Sequence, residues 1–389
     1  MQLGGALRMN AFDLGPDDQP RETGPYDRVA VLGGGAWGSA LAVIAARAGR
    51  DVRLWARNPE QVERMRETRR NPGYLPESVA LPANLHPTAD LAEALDGAQA
   101  VLLVTPSRAV RETARAIAGL VSPQAPVCLC AKGVEPETGL LMTEVAAQEL
   151  RGNPLAALSG PNFADEAAIG HPTAATIASD CGPRFAETPE VTAAARLALS
   201  LGTESFRPYV SDDIAGVEAG GAVKNVVAIA CGVADGAGLG LNTRAALITR
   251  GLDEMKQVAE AIGGRRETVT GLAGVGDLTL TCSSDRSRNM RLGLQLGRGV
   301  PRAECFDGAP VLVEGERSAL SVTDLARAHG LHLPLCEAVR SFLHEGVSIP
   351  AAFAALWGRP IQGEPRALDF EIGHPAASRT ERHFERVMQ

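Results

Sequence analysis

Lys132, Lys224 and Lys256 are the only lysines among 38 basic side chains; the rest are arginines. A composition that places arginine nearly everywhere draws attention to the positions where lysine persists. An ammonium shifts its pKa readily on burial and can hand over a proton, which a guanidinium cannot. Lys132 follows the apolar run 127–131 and precedes Gly133, the place expected at the carboxyl end of a parallel strand, where ligands bind. Lys224 lies in Glu218-Ala219-Gly220-Gly221-Ala222-Val223-Lys224-Asn225-Val226-Val227, an apolar helical pattern in which a lysine is costly unless paired or in use. Gly220 and Gly221, on the preceding turn, allow close approach of a ligand. Asp277, in the apolar turn Gly274-Val275-Gly276-Asp277-Leu278, needs a partner of its own, and a Lys–Asp pair satisfies both. Lys256 has helix-surface neighbours and reads as solvated.

Two further clusters suit phosphates. Ser287-Arg288-Asn289 opens a helical stretch after Asp285, so free N–H groups, a guanidinium fork and an amide converge, with Ser287 also fit to be an ordinary N-cap. Gly33-Gly34-Gly35-Ala36-Trp37-Gly38 follows the apolar run 29–32 and opens a helical pattern, which is G-x-G-x-x-G in its strand, turn, helix context. Gly33 permits the turn, Gly35 lets backbone approach a pyrophosphate, and Gly38 lets helix and strand pack closely. The next strand ends Trp55-Ala56-Arg57-Asn58, without the acid that grips the ribose hydroxyls of NAD. That favours NADPH, with Arg57 on the 2′-phosphate and Asn58 nearby, while leaving NADH acceptable.

The elements that must position these residues follow from periodicity. Apolar runs at 29–32, 52–55, 100–104, 127–131, 155–158 and 173–178 alternate with amphipathic stretches. An α/β domain over 26–210, a doubly wound parallel sheet of Rossmann type, is expected. Helical patterns at 217–234, 243–262, 287–296, 315–329 and 335–344 predict an all-α second domain over 211–350. Residues 1–25 read as a mobile tail, and the Pro-, Gly- and Arg-rich stretch 351–389 as an extended or disordered one.

Composition narrows the partners. With 46 acidic against 38 basic residues and a net charge of -8, the chain lacks the basic excess of a nucleic-acid binder. Neither a transmembrane run of about 20 apolar residues nor a signal core is evident, so no membrane insertion and a cytoplasmic setting are expected. Seven cysteines without a Cys-x-x-Cys pair suggest reduced, buried thiols and no metal site.

Taken together, these blocks resemble NAD(P)-dependent glycerol-3-phosphate dehydrogenase across residues 28–345. The resemblance also rests on Ala131-Lys132-Gly133-Val134-Glu135, Ser159-Gly160-Pro161-Asn162-Phe163-Ala164, Asn242-Thr243-Arg244-Ala245-Ala246-Leu247-Ile248-Thr249-Arg250-Gly251 and Val313-Glu314-Gly315. It implies reversible reduction of dihydroxyacetone phosphate to sn-glycerol 3-phosphate, the glycerophospholipid backbone, and a second domain like the C-terminal domain of 6-phosphogluconate dehydrogenase. Lys224 would transfer the proton, with Asp277, Lys132 and Asn225 assisting. Lys132, Gly160, Asn162, Lys224, Asp277, Ser287, Arg288 and Asn289 would surround the substrate. Gly33, Gly35, Ala36, Trp37, Gly38, Arg57, Asn58, Lys132, Ala164, Arg288, Leu312 and Glu314 would face the nucleotide. Asn162 stands where the family commonly has Ser or Thr, so an amide contact would replace a hydroxyl contact. A helical second domain of this kind allows a homodimer. Two competing readings are a β-hydroxyacid-type reductase on the same plan and a non-catalytic NADPH-sensing module. The Ser287-Arg288-Asn289 block argues for phosphate against the first, and the Lys224–Asp277 pairing argues for catalysis against the second.

Overall fold

The computed structural model describes residues 23–150, 152–180, 188–364, 368 and 370–388. Most of the stretch expected to be a mobile N-terminal tail lies outside the described residues. Eight strands form one sheet: β1 (Arg28–Leu32), β2 (Asp51–Trp55), β3 (Leu85–Thr88), β4 (Ala100–Leu103), β5 (Val127–Leu129), β6 (Leu155–Ser159), β7 (Thr173–Ser179) and β8 (Phe206–Ser211). Their spatial order is β3-β2-β1-β4-β5-β6-β7-β8. The chain leaves β1 in one direction for β2 and β3 and returns to its other side at β4, so the crevice beyond the carboxyl ends of β1 and β4 is the switch point.

Every neighbouring pair is parallel except β6 with β7. There a six-residue helix, Ala164–Ile169, ends at Gly170 with φ +103°, and the chain turns back antiparallel. The central strands are buried on both faces: Val29, Val31, Leu102 and Cys128 face one core, and Ala30, Leu32, Val101, Leu103, Val127 and Leu129 the other. Such strands read as continuous apolar runs, which is why they were legible. β3 and β8 gave no such signal. They are the two edges of the sheet, and each carries a proline, Pro87 and Pro208, which a strand tolerates where no neighbour needs its N–H.

The second unit is built around the 23-residue helix Ile214–Gly236, buried almost continuously from Gly216 to Ala234. It has the length and apolarity of a membrane span, but 89% of its most apolar window is covered by protein. A helix apolar on all sides is the expected centre of a helical domain. Helices Gly240–Ala261, Asp277–Cys282, Arg288–Gly297, Glu314–Ala328 and Pro334–His344 pack around it. It crosses Arg288–Gly297 closely: a Cβ on Gly232 would lie 2.2 Å from Met290 O, and one on Gly293 2.1 Å from Ile229 O. Buried Glu254 caps another of these helices from outside, accepting from Leu335 N (2.5 Å) and Cys336 N (3.0 Å). Desolvation pushes its carboxyl up to about 7 even against those two hydrogen bonds.

The expectation of an extended or disordered stretch over 351–389 is corrected. Helix Ile349–Trp357 and helix Ala377–Val387 flank a short antiparallel ribbon of Ile361–Gln362 and Glu371–Ile372. Phe384 anchors the last helix against Phe353 and Trp357, with ring centroids 6.1 and 5.8 Å away. Prolines and glycines around these helices masked an apolar contact that only tertiary packing completes.

Candidate active site

The glycine loop at the switch point separates what the fold needs from what a ligand needs. A Cβ on Gly33, whose φ is +136°, would lie 2.7 Å from Val104 O, and one on Gly38 would lie 1.9 Å from Gly33 O, so packing demands both glycines. At Gly35 a Cβ would meet nothing within 4 Å. The protein leaves that space open directly above the helix Ala36–Arg47, whose N-cap is Gly35 and whose first N–H groups have no side-chain cap. An open cradle over free N–H groups at a positive helix end fits a pyrophosphate. The loop is clamped from behind: Gly34 O accepts from Gln61 Nε2 (2.6 Å) and Asn71 Nδ2 (3.0 Å), and Asn71 Nδ2 also donates to Ser39 Oγ (2.6 Å). Neither Gln61 nor Asn71 carries a local sequence signal for this role.

Ala36 and Trp37 are half-buried on the first turn of that helix. Arg57, two residues past β2, is exposed and has no hydrogen bond or ion pair among the described residues. Asn58 is partly spent, its Oδ1 capping helix Pro59–Thr68 by accepting from Glu60 N at 2.9 Å. Across the sheet edge, Leu312 and Glu314 share a cleft with Pro106, Ser107 and Gly133, and Ala164 begins the short helix after β6.

Lys132, Lys224 and Asp277 come together, as their isolation in apolar sequence required. Asp277 Oδ1 accepts from Lys224 Nζ and its Oδ2 from Lys132 Nζ, both at 2.5 Å. Asp277 is presented by helix Asp277–Cys282 immediately after a π-helical turn, Leu272–Gly276, an irregularity common at functional sites. Close packing brings the three elements into reach: a Cβ on Gly220 would lie 2.3 Å from Ala273 O, and one on Gly221 would lie 3.0 Å from Lys132 Cγ. Lys132 also reaches Gly160 O at 3.3 Å, and Lys224 donates to Thr281 Oγ1 at 3.1 Å. The Thr281 hydroxyl in turn donates to Asp277 O at 2.6 Å, a contact invisible without the fold.

Burial sets the electrostatics. Lys224 is 8% exposed; desolvation lowers its pKa to about 8, Asp277 opposes that shift and Lys132 adds to it. Burial alone would raise the Asp277 carboxyl, but Lys132 and Lys224 outweigh it and hold the group below its ordinary value. The cluster carries a net positive charge in a water-poor place, where it favours developing negative charge. Lys256, half-buried on helix Gly240–Ala261, takes no part in it.

Asn225 and Asn289 are tied into a second network. Asn289 Nδ2 donates to Asn225 Oδ1 (2.8 Å), Asn289 Oδ1 accepts from Gly315 N (2.8 Å), and Asn225 Nδ2 donates to Glu314 Oε2 (3.4 Å). The Asn289 amide thus joins neighbouring helices with one Nδ2 proton and one Oδ1 lone pair, and its second Nδ2 proton and its first-turn N–H remain for a ligand. Ser287 caps the same helix by accepting from Met290 N at 3.3 Å. Arg288 is exposed and unpaired among the described residues. Its neighbour Arg286 bridges to Asp165 and Glu166 and lies over the Phe163 ring at 4.7 Å, joining the helical unit to the segment after β6. Asn162 donates to Ala174 O at 2.9 Å, while its Oδ1 is buried without a partner.

One missed group had a legible signal. Glu218, in the same apolar run as Lys224, is buried, accepts from Thr143 N (3.1 Å) and Thr143 Oγ1, and is pushed up to about 7 by desolvation. Among the described residues no three His, Cys, Asp or Glu side chains gather as a metal set, and the six described cysteines are buried and free. Cys181 lies outside the described residues.

Comparison with known proteins accords with this geometry. The family described as NAD-dependent glycerol-3-phosphate dehydrogenase N-terminus matches residues 28–183, and its C-terminus counterpart matches residues 213–354. Glycerol-3-phosphate dehydrogenase [NAD(P)+] from Rhodospirillum rubrum is 48% identical over 338 residues, covering 87% of this chain and 94% of that protein. The enzyme of the same name from Caulobacter vibrioides is 45% identical over 339 residues, with 87% and 99% covered. The crystal structure of glycerol-3-phosphate dehydrogenase from Coxiella burnetii superimposes with a TM-score of 0.78 at 40% identity, covering 86% of this chain and 99% of that one. The fold, the paired lysines and these matches agree that the chain belongs to the NAD(P)-dependent glycerol-3-phosphate dehydrogenase family of oxidoreductases.

Proposed function

We propose that the chain reduces dihydroxyacetone phosphate to sn-glycerol 3-phosphate, reversibly, with NADPH preferred and NADH accepted. The observation that carries this reading is the Lys224–Asp277–Lys132 cluster, a tunable ammonium held by a buried carboxylate at the mouth of a nucleotide-binding sheet. The bound nicotinamide supplies a hydride to the C2 carbonyl. Lys224 gives a proton to the oxygen that becomes negative, and a pKa of about 8 keeps it mostly protonated yet willing to donate near neutral pH. Asp277 fixes the position of that ammonium. Lys132 adds positive charge beside it, and Asn225 steadies the helix face that carries it. Arg288, with the first-turn N–H groups behind Ser287, holds the substrate phosphate, so that binding energy remote from the carbonyl positions the reacting carbon. The orphaned Asn162 Oδ1 accepts from the free hydroxyl of the substrate. Residues 26–210 act as the nucleotide unit and 211–350 as the catalytic unit. A cytoplasmic setting, in keeping with the free, buried thiols of the six described cysteines, and a homodimer through the helical unit complete the reading.

Oxidation of NADPH with dihydroxyacetone phosphate, compared with unphosphorylated dihydroxyacetone, tests the substrate: turnover dependent on the phosphate is expected, and equal rates would contradict it. Arg288→Ala should raise the KM for dihydroxyacetone phosphate by about tenfold or more, as expected for loss of a charge-assisted phosphate contact, and weaken NADPH as well, since the same side chain is expected to face the nucleotide. An unchanged KM would remove Arg288 from the phosphate site. For cofactor choice, Arg57→Ala should lower the NADPH to NADH ratio of kcat/KM about tenfold; a constant ratio would show that Arg57 does not read the 2′-phosphate.

A further inference from the structure

Among the described residues three buried side-chain atoms have no hydrogen-bond partner: Thr105 Oγ1, Ser159 Oγ and Asn162 Oδ1. All three lie at the carboxyl edge of the sheet. Thr105 is two residues past β4, Ser159 is the last residue of β6, and Asn162 follows it by three. An unpaired buried polar atom is costly, and native chains keep few of them, so three on one functional edge call for ligands. Asn162 has one in the reading above. Ser159 lines a void of about 10 Å³ with Lys132 and Glu218, close to the space of one water. Thr105 has neither.

Its position is informative. The Thr105 backbone N lies 3.3 Å from where a Cβ on Gly33 would sit, so the residue abuts the glycine loop. Two residues later, the Ser107 Cβ lies 3.7 Å from the corresponding point on Gly133, the residue after Lys132. Segment 105–107 therefore spans the interval between the pyrophosphate cradle and the lysine cluster. A dinucleotide with its diphosphate over Gly35 and its reactive carbon near Lys224 must cross that interval with its nicotinamide nucleoside half. From this placement we infer that the Thr105 hydroxyl hydrogen-bonds the nicotinamide nucleoside half of the bound cofactor, an inference that rests on the cofactor reading above. A hydroxyl both donates and accepts, so it can serve a carboxamide or a ribose hydroxyl.

The inference requires opposite signs from one substitution. Thr105→Val keeps the shape and removes the hydroxyl. Without cofactor, its Tm should equal or exceed that of the wild type, because an unsatisfied group has gone. Its Kd for NADPH, from fluorescence titration, should rise about tenfold, the upper range for one neutral hydrogen bond. Its Kd for adenosine 2′,5′-bisphosphate, which lacks the nicotinamide half, should not change. Thr105→Ser should bind NADPH like the wild type. An unaltered NADPH Kd in Thr105→Val would overturn the contact, and so would equal weakening of NADPH and the bisphosphate. A wild-type chain that binds the bisphosphate and not NADPH would instead overturn the cofactor reading, and the contact with it.

Discussion

Lys224→Met should lower kcat for dihydroxyacetone phosphate reduction by about 10²- to 10⁴-fold, the usual worth of a positioned proton donor. Methionine keeps the length and apolar bulk of the side chain on helix Ile214–Gly236, where Lys224 is 8% exposed, so the helix packing should survive. Asp277 would retain Lys132 at 2.5 Å and would not be left as an isolated buried charge. NADPH affinity should therefore stay within a few-fold of wild type, which separates loss of chemistry from loss of fold. Lys224→Arg should be almost as inactive, because a guanidinium restores the charge without a transferable proton. A Lys224→Met enzyme with kcat within about tenfold of wild type would show that the proton comes from elsewhere.

Asp277→Ala should act on stability and on pH dependence together. It would leave two ammonium groups facing each other without their shared carboxylate, one of them deeply buried. Removing one partner from a buried ion pair costs about 3–5 kcal/mol, because the uncompensated charge remains. Part of that cost is relieved if Lys224 loses its proton. Burial already lowers the Lys224 pKa to about 8 against the opposing pull of Asp277; without that pull it must fall further. The alkaline limb of the reduction rate should then move to lower pH, and denaturant unfolding should show a lower midpoint. An unfolding free energy within about 1 kcal/mol of wild type, with an unmoved pH limb, would mean that Asp277 neither holds nor tunes Lys224.

The central strands, the long helices and the family itself were legible in the sequence, for a physical reason. Strands buried on two faces and a helix buried on all sides leave long apolar runs, and Lys132, Lys224 and Asp277 stand out against such runs as charges that need one another. Edge strands β3 and β8 lie half outside this logic and carry Pro87 and Pro208. The helices beyond residue 348 were hidden because Phe384 is apolar for the sake of Phe353 and Trp357, partners that only the folded chain supplies. Contacts between distant elements were equally silent: Thr281 under Lys224, Arg286 across to Asp165 and Glu166, and Gln61 with Asn71 behind Gly34. Residue type at a helix start was equally silent on the Asn289 amide's links to Asn225 and Gly315. Glu218 was within reach, being an acid in the same apolar stretch as Lys224, and two buried acids, Glu218 and Glu254, both held up near 7, follow the same physics as the lysine.

The most direct test of Lys224 as the proton donor is the pH dependence of kcat/KM measured in both directions on the wild-type enzyme. Reduction needs the ammonium, so its kcat/KM should fall as pH rises through about 8, while oxidation of sn-glycerol 3-phosphate needs the free amine and should rise through the same pH. Mirror-image limbs that meet near 8 are the predicted result. A reduction profile that stays flat from about pH 6 to about pH 10 would contradict the assignment of the proton to Lys224.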